Sequence, residues 1–297
     1  MNNVIKGTAE NFPMKAGDNL ILAVPHHDDT ILGCGSFIIK AKALGVLTTV
    51  ARSFVACSRT NFFANYQEGL LSEEQIQRVT QARIEEDTLG CNDLFSDSYQ
   101  WMQGILGEWD APLRGYTGAL TAGGGSAGDF STFRPQEIDM YNRLISQYTW
   151  MMMQENTVIL CLIANGSHVD HFNVREAILH AAFLAGDNAK AQIIFVEDEP
   201  YTSANPQDRF VEFDKLNART ANGLFSYQFE CEPGEYKNTK MHDIFDAHYR
   251  TQWTQDYEDN LNNQREFYIY TLDKSKYKSI LKDTTCTEDY CALSSAV

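Results

Sequence analysis

Four short runs along the chain read as strands: NLILAV at 19–24, LTTVARSFV at 47–55, TVILCLI at 157–163 and QIIFVE at 192–197. Each has the length and the β-branched or aliphatic content of a strand buried on both faces. Between them the apolar period lengthens to that of helices. Residues 31–44 carry apolar positions at helical spacing up to Gly45, residues 73–89 form a charged amphipathic pattern up to Gly90, and residues 173–184 repeat the pattern up to Gly186. Strands alternating with helices predict an α/β fold, a Rossmann-like and mostly parallel sheet with helices on both faces. Beyond residue 200 the pattern turns aromatic and irregular, with one helical stretch at 238–253, which predicts a smaller strand-rich C-terminal lobe.

The division expected is a core over 1–200 and a dependent lobe over 201–297 that completes a substrate cleft. Residues 104–135 are the main irregular stretch, and TAGGGSAGDF at 121–130 reads as a loop over a substrate rather than a linker, because recognisable elements resume after Pro135. No internal repeat is visible.

Composition narrows the partners. The chain has 297 residues and a net charge of −16, which disfavours nucleic acids and anionic membranes. No signal-peptide pattern and no run of about 18 apolar residues appears, so a soluble cytoplasmic protein is expected. Seven cysteines at 34, 57, 91, 161, 231, 286 and 291 make an odd number in mostly apolar contexts, which reads as buried thiols rather than disulfides.

Two of the strands end in chemistry. The first runs into His26, His27, Asp28 and Asp29, and the third leads through a small-residue loop to His168, Asp170 and His171. Two imidazoles and two carboxylates in one short run cost several kcal/mol to desolvate unless they are paired or hold a cation, so packing does not account for them. Ligands of open α/β sheets bind outside the carboxyl ends of the strands, where both clusters lie. His26 and Asp29, three apart, fall on one side of a turn and leave Asp28 for another task. A third ligand from the second cluster would make an open three-ligand metal site. Gly33 and Gly35 do not suit a dinucleotide loop, since HHDD would place negative charge where a phosphate must sit. No G-x-S-x-G elbow is present.

PHHDDTILGCG resembles the (P/A)-H-P-D-D-E-x-x-x-G-x-G segment, and HVDH the H-x-D-H segment, of the LmbE-like or PIG-L family of zinc-dependent N-acetylglucosamine de-N-acetylases. The order of the two segments, their separation and the strand before each make the pairing specific. Weaker similarity extends to Arg78, to Leu89 and Gly90, and to Lys240, Tyr249 and Gln252. The resemblance implies zinc, or iron(II), held by His26, Asp29 and His171. It further implies Asp28 as general base, a protonated His168 steadying the oxyanion, Asp170 orienting an imidazole, and Arg78 reaching the substrate.

Two positions depart from the pattern. His27 replaces the usual Pro and is expected to point away from the metal, and Thr30 replaces the usual Glu. His180 reads as structural and His242 and His248 as surface residues. The function implied is hydrolysis of the acetamide of an N-acetylated amino sugar, with no nucleic-acid or membrane partner and no reading of oligomeric state. The acidic composition points to a polyamine-like substrate, an N-acetylparomamine-like aminoglycoside intermediate. Its rivals are an N-acetylglucosaminyl thiol precursor or chitin fragment and, from another class, a non-catalytic sugar-binding protein whose site has decayed, for which Thr30 is the support.

Overall fold

The computed structural model describes residues 4–47, 51–60, 72–95, 101–116, 137–165, 168–199, 201–204, 209–231, 237–252, 259, 264 and 266–280, with side chains of 203–204 and 237–242 excepted. One eight-stranded sheet organises them. Its strands are β1 (Ile5–Lys6), β2 (Asn19–Val24), β3 (Ala51–Arg59), β4 (Trp101–Trp109), β5 (Thr157–Leu162), β6 (Gln192–Val196), β7 (Leu224–Glu230) and β8 (Glu266–Leu272). The order across the sheet is β1-β7-β8-β6-β5-β2-β3-β4, and every neighbouring pair is parallel except the two that β8 makes. The α/β sheet read from the sequence is therefore present, and the strands of the C-terminal lobe are continuous with it.

The helices are α1 (Asp29–Leu32), α2 (Gly35–Ala43), α3 (Glu73–Phe95), α4 (Ile138–Met152), α5 (Val169–Ala185), α6 (Tyr201–Ala204), α7 (Arg209–Arg219) and α8 (Lys237–His248). They cover both faces, and the alternation of β2 decides which core each residue joins. Ile21 and Ala23 face the core built with α4 and α5, where Tyr148 and Phe172 are buried. Leu20, Leu22 and Val24 face the core built with α2, α3 and α8, with Phe37, Phe95 and Phe245. Central strands buried on both faces have no polar side, which is why the sequence showed them as continuous apolar blocks. Among the described residues no helix is long and apolar enough to cross a membrane.

Several boundaries move. The single helix expected at 31–44 is two, parted at Gly33 and Cys34, and a Cβ at Gly33 would stand 2.4 Å from Cδ2 of Leu162. The second strand, expected at 47–55, runs on to Arg59, since its pairing with β4 continues past Val55 through register shifts; positions 48–50 of that expectation lie outside the described residues. Residues 101–109, partly assigned to the irregular stretch, form edge strand β4. The glycine-rich 121–130 segment, with Cys286 and Cys291, lies outside the described residues. The last helix ends at His248 rather than 253. Cys34, Cys57, Cys91, Cys161 and Cys231 are buried free thiols.

Helix α3 runs through Gly90 instead of stopping there. A Cβ at Gly90 would stand 2.5 Å from Cε2 of Tyr249, whose hydroxyl donates to Asp87 Oδ1 at 2.9 Å. The glycine thus serves the approach of the α8 end to α3. Gly90→Ala gains about 1 kcal/mol of helix propensity but overpacks a ring fixed by its hydrogen bond, which costs about 1–3 kcal/mol. The expected outcome is a net loss of stability in urea unfolding, against little change for the exposed Leu89→Ala; a Gly90→Ala protein as stable as the parent would remove this explanation.

Candidate metal centre

Strand β2 has β3 on one side and β5 on the other, so successive crossovers leave it in opposite directions. Such a switch point opens a crevice at the carboxyl ends, and the segments after β2 and β5 both enter it. Pro25 continues the ladder by accepting from the Cys57 amide at 2.9 Å, after which the chain turns into α1. The His26 amide donates to Asp29 Oδ2 at 2.8 Å and fixes that turn. After β5, His168 caps α5, its Nδ1 accepting from the Asp170 amide at 3.1 Å. Asp170 and His171 therefore project from a first helical turn, not from a loop.

Three ligand atoms converge there. His26 Nδ1 lies 3.3 Å from Asp29 Oδ2 and 3.3 Å from His171 Nε2, and His171 Nε2 lies 3.4 Å from the same Asp29 oxygen. Nitrogen and oxygen ligands at the zinc distance of about 2.05 Å and the tetrahedral angle stand about 3.35 Å apart, so this triangle has the dimensions of three protein ligands of one ion. The far nitrogens are engaged as metal-binding imidazoles require: His26 Nε2 pairs with Asp170 Oδ2 at 3.1 Å, and His171 Nδ1 hydrogen-bonds Asp198 Oδ1. His168 belongs to the same histidine cluster, and Asp28 with His26 and Asp29 forms another set able to hold a metal. The donor set suits zinc or a similar divalent cation.

Carboxylates and arginines support this triangle. Burial alone would raise the Asp170 carboxyl, but Arg114 at 2.7 Å and the His26 hydrogen bond hold it well below the usual range. Burial works equally against Asp29, yet His171 and His26 bring it to about 2. Burial would discharge His26, but its bonds to Asp170 and Asp29 raise it to about 10. His168 is pushed well below 6.5 by burial and by the neighbouring His26 charge. A neutral His168 with an accepting Nδ1 carries its proton on Nε2, so it can donate a hydrogen bond without being the protonated imidazole expected.

The cleft is lined by His26, Asp28, Asp29, Leu32, Arg83, Asp110, Pro112, His168, His171, Glu199 and Tyr201. Arg78 is not among them. It stands on the exposed face of α3, paired with Glu74, and Arg83 reaches the cleft instead. Arg83 donates to Asp28 Oδ1 at 2.8 Å, Gln252 Oε1 at 2.7 Å and Thr60 Oγ1 at 3.2 Å. His27 turns away, 3.9 Å from Asp87. Thr30 is wholly buried and bonds the Ser53 hydroxyl at 2.9 Å, clear of the cleft. His180 sits near Tyr141, and His248 near Asp93. The side chains of Lys240 and His242 lie outside the described residues.

Sequence reasoning missed Arg83, Asp110, Arg114, Asp198, Glu199 and Tyr201. Asp110 follows the carboxyl end of β4 as Asp28 follows that of β2. It accepts from the Thr60 hydroxyl, burial raises its pKa, and its Oδ1 is buried with no hydrogen-bond partner.

No family model and no curated protein matches the chain. Solved structures do. The A40926 pseudoaglycone deacetylase Dbv21 is 16% identical over 87% of this chain and 98% of that one, with a TM-score of 0.53. Teicoplanin deacetylase Orf2, in a zinc-inhibited form, is 14% identical over 86% and 98%, also with a TM-score of 0.53. The resemblance anticipated from the motifs is met in the fold.

A proton and a cation compete for this triangle. With a pKa of about 10, His26 is protonated in the metal-free protein at pH 7 and must lose that proton to bind through Nδ1. Burial lowers the His171 pKa but Asp29 and Asp198 raise it overall, so zinc binding at pH 7 is expected to release at least one proton in calorimetry across buffers of different ionisation enthalpy, with affinity rising as pH climbs towards 10. Affinity that is flat with pH, with no proton released, would contradict the ligand set.

Proposed function

We propose that the chain is a metal-dependent hydrolase that cleaves the acetamide of an N-acetylated amino sugar to acetate and a free amine. The observation that carries this reading is the triangle of His26, Asp29 and His171 ligand atoms at 3.3–3.4 Å, opening into a cleft beside a carboxylate that is not part of it. The motif resemblance and the deacetylase activities of the structurally similar proteins agree with it.

A zinc or iron(II) ion held by His26, Asp29 and His171 would supply Lewis acidity for the amide carbonyl and would bring the pKa of water towards about 7. The remaining steps fall to side chains. Asp28, steadied by Arg83 at 2.8 Å, takes the proton of the attacking water and passes it to the departing nitrogen as the C–N bond breaks. His168 donates its Nε2 hydrogen to the oxyanion. Asp170 keeps His26 oriented through Nε2, and Asp198 does the same for His171. Arg83 and Asp110 hold sugar hydroxyls, in the role expected of Arg78. Two described residues beyond position 200 contribute to the cleft: Tyr201 lines it, and Gln252 fixes Arg83.

Among sugars, an aminoglycoside-type intermediate such as N-acetylparomamine suits the lining best. Asp28, Asp29, Asp110 and Glu199 face the cleft with Arg83 as the one arginine or lysine among the described lining residues, so additional ammonium groups on the substrate are attracted. Thr30, the support for a decayed binding protein, is bonded away from the cleft and takes nothing from the ligand triangle.

Zinc-loaded protein is expected to release acetate from N-acetylated amino sugars, fastest from those bearing further amines. Asp28→Asn should lower kcat by about 10²–10⁴-fold while leaving zinc content unchanged. Protein that holds zinc yet releases no acetate from any member of such a panel defeats the hydrolase reading. Acetate release undiminished in Asp28→Asn defeats the assignment of the base.

A further inference from the structure

A second cavity lies at the opposite edge of the sheet, at the amino ends of β5 and β6, with a volume of about 360 Å³ open to solvent. Six residues of strand separate the two edges along β2, roughly 20 Å, so nothing placed in this cavity touches the cleft. Pro13 on the loop before β2, Thr157 at the start of β5 and Lys274 just after β8 form its walls together with the exposed Lys15 and Lys190.

The chain carries 40 acidic and 24 basic residues, yet among the described lining residues of this cavity three lysines stand against one acid, Asp18. None of these three is ion-paired to a carboxylate among the described residues. The acid beside them, Asp18, is buried and accepts the backbone amide of Lys15 at 2.9 Å, which turns one of its oxygens into the loop rather than towards an ammonium group. Lys274 is held in place by donating to the Lys190 carbonyl. Partial burial lowers its pKa, Asp18 offsets part of this, and the Lys15 and Lys190 charges lower it further, so Lys274 lies within the field of both other lysines. Like charges lining an open cavity are relieved by an anion. Lysines act as point charges and suit the tetrahedral spread of phosphate oxygens, whereas a planar carboxylate is matched by an arginine fork, which this cavity lacks among its described lining residues.

We propose that this cavity is a binding site for a small multivalent anion of the phosphate class, separate from the cleft and independent of the function assigned to it. The anion bridges Lys15, Lys190 and Lys274 and ties the loop before β2 to the segment after β8. The shared chemistry covers inorganic pyrophosphate and an organic phosphate ester, and the volume accommodates either.

Calorimetric titration of the full chain with inorganic pyrophosphate and, in a separate arm, with glucose 6-phosphate is the test, each against sodium chloride at equal ionic strength. Saturable binding of either probe is expected, weakened about tenfold or more in a Lys15→Gln, Lys190→Gln, Lys274→Gln protein. Tighter binding in the second arm assigns the site to esters, and tighter binding in the first to free pyrophosphate. Acetic anhydride labelling of the unmodified protein, read by mass spectrometry, gives the same answer without a variant: the bound anion should protect these three lysines together. Binding no stronger than the chloride control, binding retained by the triple variant, or protection confined to other lysines overturns the proposal.

Discussion

The meeting of His26, Asp29 and His171 in the interior constrains the rest of the molecule. Two imidazoles and a carboxylate brought to within 3.4 Å, with Asp170 and Asp198 behind them, form an assembly that the interior penalises by several kcal/mol per uncompensated charge. Its persistence depends on partners reaching in from many directions. Arg114 neutralises Asp170 and also pairs with Glu137 at 2.7 Å; the Ala111 amide adds a bond to Asp170 at 2.9 Å; and the Asn165 amide donates to Asp198 at 2.8 Å. Removing any one strands a charge belonging to another. The parallel register of β2 and β5, pairing Asn19 with Thr157 and Ala23 with Cys161, is what delivers both clusters to the same depth.

That register explains why the centre of the site was legible in the sequence. A strand buried on both faces announces itself as an apolar block, and polar residues at its end stand out because the core cannot use them. Residues 19–29 and 157–171 both have this form. β4 does not. It is an edge strand, half exposed, interrupted by Gly104 and Gly107, and with Met102 and Ile105 open to solvent, so its pattern merged with the irregular residues after it. With β4 unread, the carboxylate at its carboxyl end, Asp110, had no context.

The choice of Arg78 over Arg83 shows a different limit. Five residues along a helix rotate a side chain to about the opposite face. Ile76 and Val79 mark the buried stripe of α3, and Arg83, Glu86, Asp87 and Gly90 continue it in phase. A charged residue in register with an apolar stripe is the signal that identifies Arg83, and motif similarity alone did not weigh it. Gly90 misled for a related reason. Glycine ends helices through its backbone freedom, but here its missing side chain is what matters, because it admits the Tyr249 ring.

The two edges of the sheet carry opposite electrostatic tasks. At the carboxyl edge, Asp28, Asp29, Asp110, Asp170, Asp198 and Glu199 outnumber Arg83 and Arg114 among the described groups, and a divalent cation offsets only part of the excess. A neutral amide flanked by ammonium groups enters such a field favourably, and an anion is repelled from it. At the amino edge, Lys15, Lys190 and Lys274 create the reverse condition. Because all strands except β8 run in one direction, loops of one kind gather at each edge, and the sequence can load each set with its own charge. A net charge of −16 therefore describes neither edge. It averages over an acid-rich cleft and a lysine-lined cavity.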